Sequence, residues 1–150
     1  MGVVAALLAC NTSMGTNGTM LVYPGPTNVS WDGSYDFGNV GIGLQSPPAT
    51  FTIENDGFAS IVFSGATPVS VTGTNAADFA VSQPAISTVA RGLSTTFTVQ
   101  FNPSVVAKET AQVAIASAAG SYTFTVSGGG VYSGTLSMSY STDGSSPPTS

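Results

Sequence analysis

Phe97-Thr98-Val99-Gln100-Phe101 is the stretch that decides the fold. Bulky apolar residues hold every second position, with Thr or Gln between them. In an extended chain successive side chains point to opposite faces, so this stretch has one oily face and one hydroxyl-rich face, as a half-buried strand does. The same alternation returns in Phe51-Thr52-Ile53 and in Tyr122-Thr123-Phe124-Thr125-Val126. Between these runs stand turn-forming residues. Asn55-Asp56-Gly57 and Ala119-Gly120 read as turns, and Asn102-Pro103 ends a strand because proline cannot donate to a central ladder.

Working outward, the pattern predicts strands over Phe37–Ile42, Ala49–Asn55, Ser60–Phe63, Pro68–Thr72, Phe79–Ser82, Thr95–Asn102, Ala111–Ser117 and Ser121–Ser127. The inward set is Val40, Phe51, Ile53, Ile61, Phe63, Val71, Phe79, Phe97, Val99, Phe101, Val113, Ile115, Phe124 and Val126. No amphipathic helix longer than about a turn is evident. The expected fold is all-β: an immunoglobulin-like β-sandwich of about seven or eight strands with strand-forming arms at both ends.

Three regions follow. Residues 1–30 hold an apolar start, a Ser/Thr/Asn/Gly tether and a candidate strand at Met20-Leu21-Val22-Tyr23. Residues 31–130 hold the sandwich. Residues 131–150 hold one further alternating segment, with Leu136, Met138 and Tyr140 on one face, and a Ser/Pro tail. Gly128-Gly129-Gly130 breaks the alternation and reads as a hinge between the sandwich and that last segment.

Composition narrows the function. Charged residues make up only 6% of the 150-residue chain, against a norm of about 25%. Hydrophobic residues make up 42%, enough for a real core. Polarity comes from Ser, Thr, Asn and Gly, which suits an extracellular protein or one packed into an assembly. The net charge is −5, and the only basic residues are Arg91 and Lys108. Nucleic-acid binding needs several cations to displace phosphate counterions, so that class is excluded. A polybasic membrane patch is excluded on the same ground, and no apolar run reaches the roughly 18 residues of a membrane span. Histidine is absent and Cys10 is the single cysteine, so neither an internal disulfide nor a Cys/His zinc set can form.

The order of blocks resembles a known family. Phe37-Gly38-Asn39-Val40 comes first, then Phe51-Thr52-Ile53-Glu54-Asn55-Asp56-Gly57 and Gly73-Thr74-Asn75-Ala76-Ala77-Asp78-Phe79. Ser94 to Pro103 and Tyr122-Thr123-Phe124-Thr125-Val126-Ser127-Gly128 follow. Together they resemble the bacterial choice-of-anchor D, or ASH-like (ASPM, SPD-2, Hydin), immunoglobulin-like domain, which is similar in turn to the major sperm protein fold. The resemblance covers roughly two thirds of the chain. It implies a sandwich without a catalytic site, in bacterial surface or secreted proteins.

Leu7-Leu8-Ala9-Cys10 resembles a lipobox, in which a signal peptidase cuts before a cysteine that carries lipid. The missing positive residue near Met1 speaks against it, and a packed apolar strand is the other reading. Asp32 and Asp36 are close in sequence, as are Glu54 and Asp56, the spacing of a Ca²⁺ site or a glycosidase pair, but Asp56 and Asp78 sit in turns that explain both, and the ligand run of a Ca²⁺ loop is missing. Serine catalysis lacks a histidine base and a nucleophile elbow. The sequons at Asn11, Asn17 and Asn28 precede the main domain, and in a Ser/Thr-rich chain such triplets arise by chance. Trp31, Tyr35 and Tyr23 either offer an aromatic surface for a sugar or plug the end of the sandwich.

The expectation is therefore a non-enzymatic structural subunit or scaffold of a bacterial cell-surface assembly, with no cofactor and no metal. Its partner would be further copies of itself, joined by strand addition through Leu136, Met138 and Tyr140 or through Leu21 and Tyr23. The alternative is a surface adhesion module that takes a protein or glycan ligand through its end loops, with Trp31 and Tyr35 as the aromatic surface. Membrane attachment would come only through a lipid on Cys10, placing the protein outside the cell or on the outer membrane.

Overall fold

The computed structural model describes residues 19–25 and 33–134. They form ten strands: β1 (Met20–Pro24), β2 (Ser34–Gly41), β3 (Ala49–Asn55), β4 (Ile61–Val62), β5 (Val69–Thr72), β6 (Phe79–Val81), β7 (Thr88–Val89), β8 (Ser94–Phe101), β9 (Lys108–Ser117) and β10 (Gly120–Val131). A 3-10 turn over Ala76–Asp78 leads into β6. One sheet has the order β1-β3-β8-β6, the other β2-β10-β9-β5, and β4 and β7 make a small two-stranded sheet. All pairings are antiparallel except that of β2 with β10. The protein is a β-sandwich of the immunoglobulin-like kind.

The register explains why alternation reads so clearly. Phe51 lies opposite Phe97, and Phe124 lies opposite Val113. The two inner faces meet in a lattice of aromatic rings. Phe51 stacks on Phe97 with centroids 5.4 Å apart and meets Phe124 from the other sheet at 4.9 Å. Nearer the opposite end Phe79 stacks on Phe101 at 4.8 Å. Phe51, Ile53, Val99, Phe101, Val113, Ile115 and Val126 are wholly buried. The expected inward residues Val40 and Val71 are half-buried and pack against this core, as do Tyr35 and Phe37. Met20, Val22, Tyr23, Val69, Val89, Ala111 and Tyr122 join the buried set.

The structure overturns the reading of Gly128-Gly129-Gly130 as a hinge. All three lie inside β10, where Gly128 and Gly129 pair with β9 and Gly129 and Gly130 pair with β2. Burial alternates straight through them. A Cβ at Gly128 would run into the Phe101 ring, and one at Gly130 into the Val105 carbonyl and Pro103. Glycine is present because a ring and a loop approach the strand backbone, which is a packing requirement rather than a point of freedom. β10 therefore ends at Val131, where the Ile42 N–H bonds the Val131 carbonyl at 2.8 Å.

Asn55 is wholly buried and ties one end of the sandwich together. Its amide donates to the carbonyls of Ala59 and Val89, each at 2.8 Å, and its Oδ1 accepts from Gly57 N at 3.0 Å. The Asn-Asp-Gly turn is thus built from inside, and the same side chain pins β7, a two-residue strand too short to register as alternation.

Candidate functional site: the sheet edges and loop ends

A sandwich offers two kinds of working surface, the open edges of its sheets and the loops at its ends. The edges β5 and β6 border one side, and β1 and β2 the other. The first side is closed. The Val69 N–H and C=O point away from β9, and Gln83 takes both: Oε1 accepts from Val69 N at 2.9 Å and Nε2 donates to Val69 O at 2.8 Å. A side-chain amide there imitates a neighbouring strand, and β6 spans only Phe79–Val81.

On the other side β2 is bulged. Ser127 pairs with Asp36 and Gly129 with Asn39, so Phe37 and Gly38 together face Gly128. Gly38 takes a φ of 71°, and its N–H bonds Asp36 Oδ1 at 2.8 Å. A bulge of this sort bends an edge and spoils it as a template.

β1 is regular. The Gly25 N–H bonds Thr50 O at 2.8 Å and the Asp56 N–H bonds Thr19 O at 3.1 Å, which fixes the odd-numbered backbone groups toward β3. Antiparallel alternation then turns the N–H and C=O of Met20 and Val22 outward. Among the described residues, β1 pairs with β3 and with no other strand.

The expected assembly residues Leu21 and Tyr23 therefore sit in the chain's own sheet, on the outer face of an edge strand. Leu21 is half-buried. Tyr23 is buried, and its hydroxyl donates to Glu54 Oε2 at 2.8 Å. Burial first, then the bond to Glu54 and its negative charge, push the Tyr23 phenol from 10.0 up to about 12. The other expected assembly residues, Leu136, Met138 and Tyr140, lie outside the described residues, as do Cys10 and Trp31.

Tyr35 does not present a platform. Its ring meets Phe37 edge-on at 4.9 Å and Phe51 at 5.3 Å, so it is engaged by the core. The exposed aromatics are others. Phe58, 82% exposed, follows the Asn-Asp-Gly turn with the Arg91 guanidinium 4.6 Å above its ring. Leu93 is also exposed at that end, while Leu44, Val105, Val106 and Tyr132 are exposed toward the other. Sequence reading missed Phe58 because a lone Phe after a turn carries no periodic signal. Open, shallow clefts flank β10, one of about 330 Å³ beside Asp36, Asn39 and Lys108.

Among the described residues, no three of His, Cys, Asp and Glu gather as a metal-holding group. No helix there is long and apolar enough to cross a membrane.

No family profile and no curated protein sequence matches the chain. Solved structures do. The ASH/PapD-like domain of human CEP192 (PapD-like domain 7) superposes with a TM-score of 0.51 at 16% identity, over 89% of this chain and 99% of that one. That likeness shows an ASH/PapD-like, immunoglobulin-like sandwich. The secreted serine protease VesC from Vibrio cholerae matches at a TM-score of 0.49 and 21% identity, over 63% of this chain. The Vibrio cholerae VesB protease matches at 0.45 and 20%, over 66% of this chain. The chain spans only 21% of the VesC chain and 30% of the VesB chain. At 16% identity the likeness to the CEP192 domain speaks to fold and not to chemistry.

Proposed function

We propose that the protein is a non-enzymatic structural subunit of a cell-surface assembly, built on a bacterial choice-of-anchor D type of sandwich and joined copy to copy by strand addition. The observation that carries this reading is the contrast between the edges. One side is stopped by Gln83, β2 is blunted by a bulge, and β1 is left regular with outward-facing main-chain groups at Met20 and Val22. The donated strand is Thr135–Ser141, whose alternation gives an apolar face of Leu136, Met138 and Tyr140. Main-chain bonds would supply affinity, and side chains along the strand would set register. The low charge of the chain fits a protein whose surface is largely covered by its neighbours. A lipid on Cys10 would hold the first copy to a membrane.

The test is Leu21→Lys in the full chain. A lysine on the outer face of an edge strand is how natural sheets refuse a further strand. The variant keeps the wild-type circular dichroism spectrum and sediments as a monomer where the wild type forms larger species. A variant that assembles as well as wild type refutes β1 as the receiving edge.

A second reading, adhesion through end loops, is favoured by Phe58 and Arg91, an exposed aromatic with a cation above it. Aromatic rings of this kind bind sugars and flat side chains. Glycan-array binding that disappears in Phe58→Ala while the monomer remains intact would establish it.

A further inference from the structure

Most of the large apolar side chains that stay exposed among the described residues stand at the two ends of the sandwich, not on its sheet faces. At the end where β10 leaves, Leu44, Val105, Val106 and Tyr132 are exposed, Tyr132 by 84%. Main-chain bonds hold the segments that carry them. The Ile42 N–H bonds the Val131 carbonyl at 2.8 Å, the Ser46 N–H the Phe101 carbonyl at 2.9 Å, and the Gly130 N–H the Ala107 carbonyl at 2.8 Å. At the end of the Asn-Asp-Gly turn, Phe58 and Leu93 are exposed. There the Asn55 N–H bonds the Leu93 carbonyl at 3.0 Å and the Gly92 N–H bonds the Asn55 carbonyl at 2.8 Å. Exposed apolar groups on fixed backbone mark a contact surface.

Charge is divided between the same two ends. The chain has only two basic residues. Arg91 lies over Phe58 at the turn end, where Asp56 is exposed. Lys108 shares a cleft with Asp36 and Gly130 at the exit end. Each end thus sets one cation and one carboxylate beside its apolar residues. With the two ends together, Arg91 can meet Asp36 and Lys108 can meet Asp56, and complementary charge of this kind fixes register between partners.

Strand addition brings ends into contact. A donated strand that starts at Thr135 lies no farther than about 14 Å from the Val131 that closes β10, because only three residues intervene. The exit end of the donor must therefore press on its acceptor. In the acceptor, Met20 of β1 pairs with Asn55 at the turn end, while Pro24 pairs with Phe51 and leads toward the exit end. Entry beside Met20 lays the exit patch of one copy on Phe58 and Leu93 of the next. Entry beside Pro24 sets two exit ends face to face and leaves Phe58 and Leu93 in water.

We propose that copies stack head to tail, the exit end of one on the turn end of the next, with the donated strand parallel to β1 of its acceptor. This rests on the strand-addition reading above and gives it a polarity. Two different surfaces meet at every junction, so the contact repeats without using itself up and builds an open filament, not a closed pair.

The experiment uses two variants of the full chain, Val106→Ser/Tyr132→Ser at the exit end and Phe58→Ser/Leu93→Ser at the turn end. All four side chains are exposed, so both variants should melt as the wild type does. In sedimentation velocity each variant alone should associate about tenfold or more weakly than the wild type, because aromatic anchors carry much of an interface. An equimolar mixture should recover a dimer and nothing larger, since one intact exit end and one intact turn end remain. If the exit variant fails to associate while the turn variant associates like the wild type, the ends meet head to head and the proposal is overturned. If both variants associate like the wild type while Leu21→Lys stays monomeric, strand addition stands and the end contact falls. A wild type that is monomeric at every concentration overturns both.

Discussion

Gly128→Ala turns on whether the glycine run is a hinge or a packed strand, because the two cases predict opposite signs. None of Gly128, Gly129 and Gly130 has a φ in the left-handed region, so alanine is allowed at each. At a free hinge, Gly→Ala would stabilise by about 0.4–1 kcal/mol by narrowing the unfolded ensemble. At Gly128 the new Cβ meets the Phe101 ring, which is wholly buried and cannot swing away, since Phe79 stacks on it at 4.8 Å and Phe37 lies at 6.1 Å. Overpacking of this kind costs about 1–3 kcal/mol, for a net loss of about 1–2 kcal/mol. Gly130→Ala meets the Val105 backbone, which is harder to move, and should lose about 3 kcal/mol or more. Gly129→Ala meets only the amide tip of exposed Asn39, which can rotate away, and should be close to neutral. Urea denaturation followed by circular dichroism gives all three numbers. A stabilised Gly128→Ala, or three equal effects, would refute the packing argument.

Other expectations follow from the core, the edge and the amino-terminal segment. Phe97→Ala or Phe124→Ala should cost about 3–5 kcal/mol, read from the same denaturation curves, because each ring is central to the aromatic lattice. Tyr23 in the native state keeps its proton from 10.0 to about 12 while the unfolded chain loses it, so stability should fall as pH rises through that window. Tyr23→Phe should flatten that slope in alkaline denaturation series, and an unchanged slope would assign it elsewhere. Intact-mass analysis of protein from its native host should show a chain beginning at Cys10 with added acyl chains; a chain that retains Met1 without lipid would end the anchor reading.

Much of the fold was legible in the residues because a half-buried strand writes its geometry into the chain at a period of two. Phe51, Phe97 and Phe124 could be placed inward from alternation alone, and they are the centre of the core. What was not legible has physical causes. Thr88–Val89 is too short to show a period. The glycines of β10 are silent about burial because they carry no side chain, and only the neighbours that crowd them, Phe101 and Val105, reveal their role. Glu109 occupies an inward position that alternation would have given to an apolar residue, and its polarity hid it. Tyr35, open between a surface and a plug, packs against the core, and Phe58 is the exposed ring, since exposure of a single aromatic next to a turn depends on tertiary contacts. The difference between edges was invisible too, because Gln83 becomes a cap for Val69 only once β5 and β6 lie side by side.

Strand exchange at β1 is tested by sedimentation velocity of the full chain beside a chain lacking residues 135–150. The deletion leaves β10 and its bond to Ile42 intact. If copies exchange strands, the full chain forms species growing with concentration, while the shortened chain has the same circular dichroism and melting behaviour and stays monomeric. A full chain that remains monomeric at high concentration, or a shortened chain that assembles equally well, would contradict it.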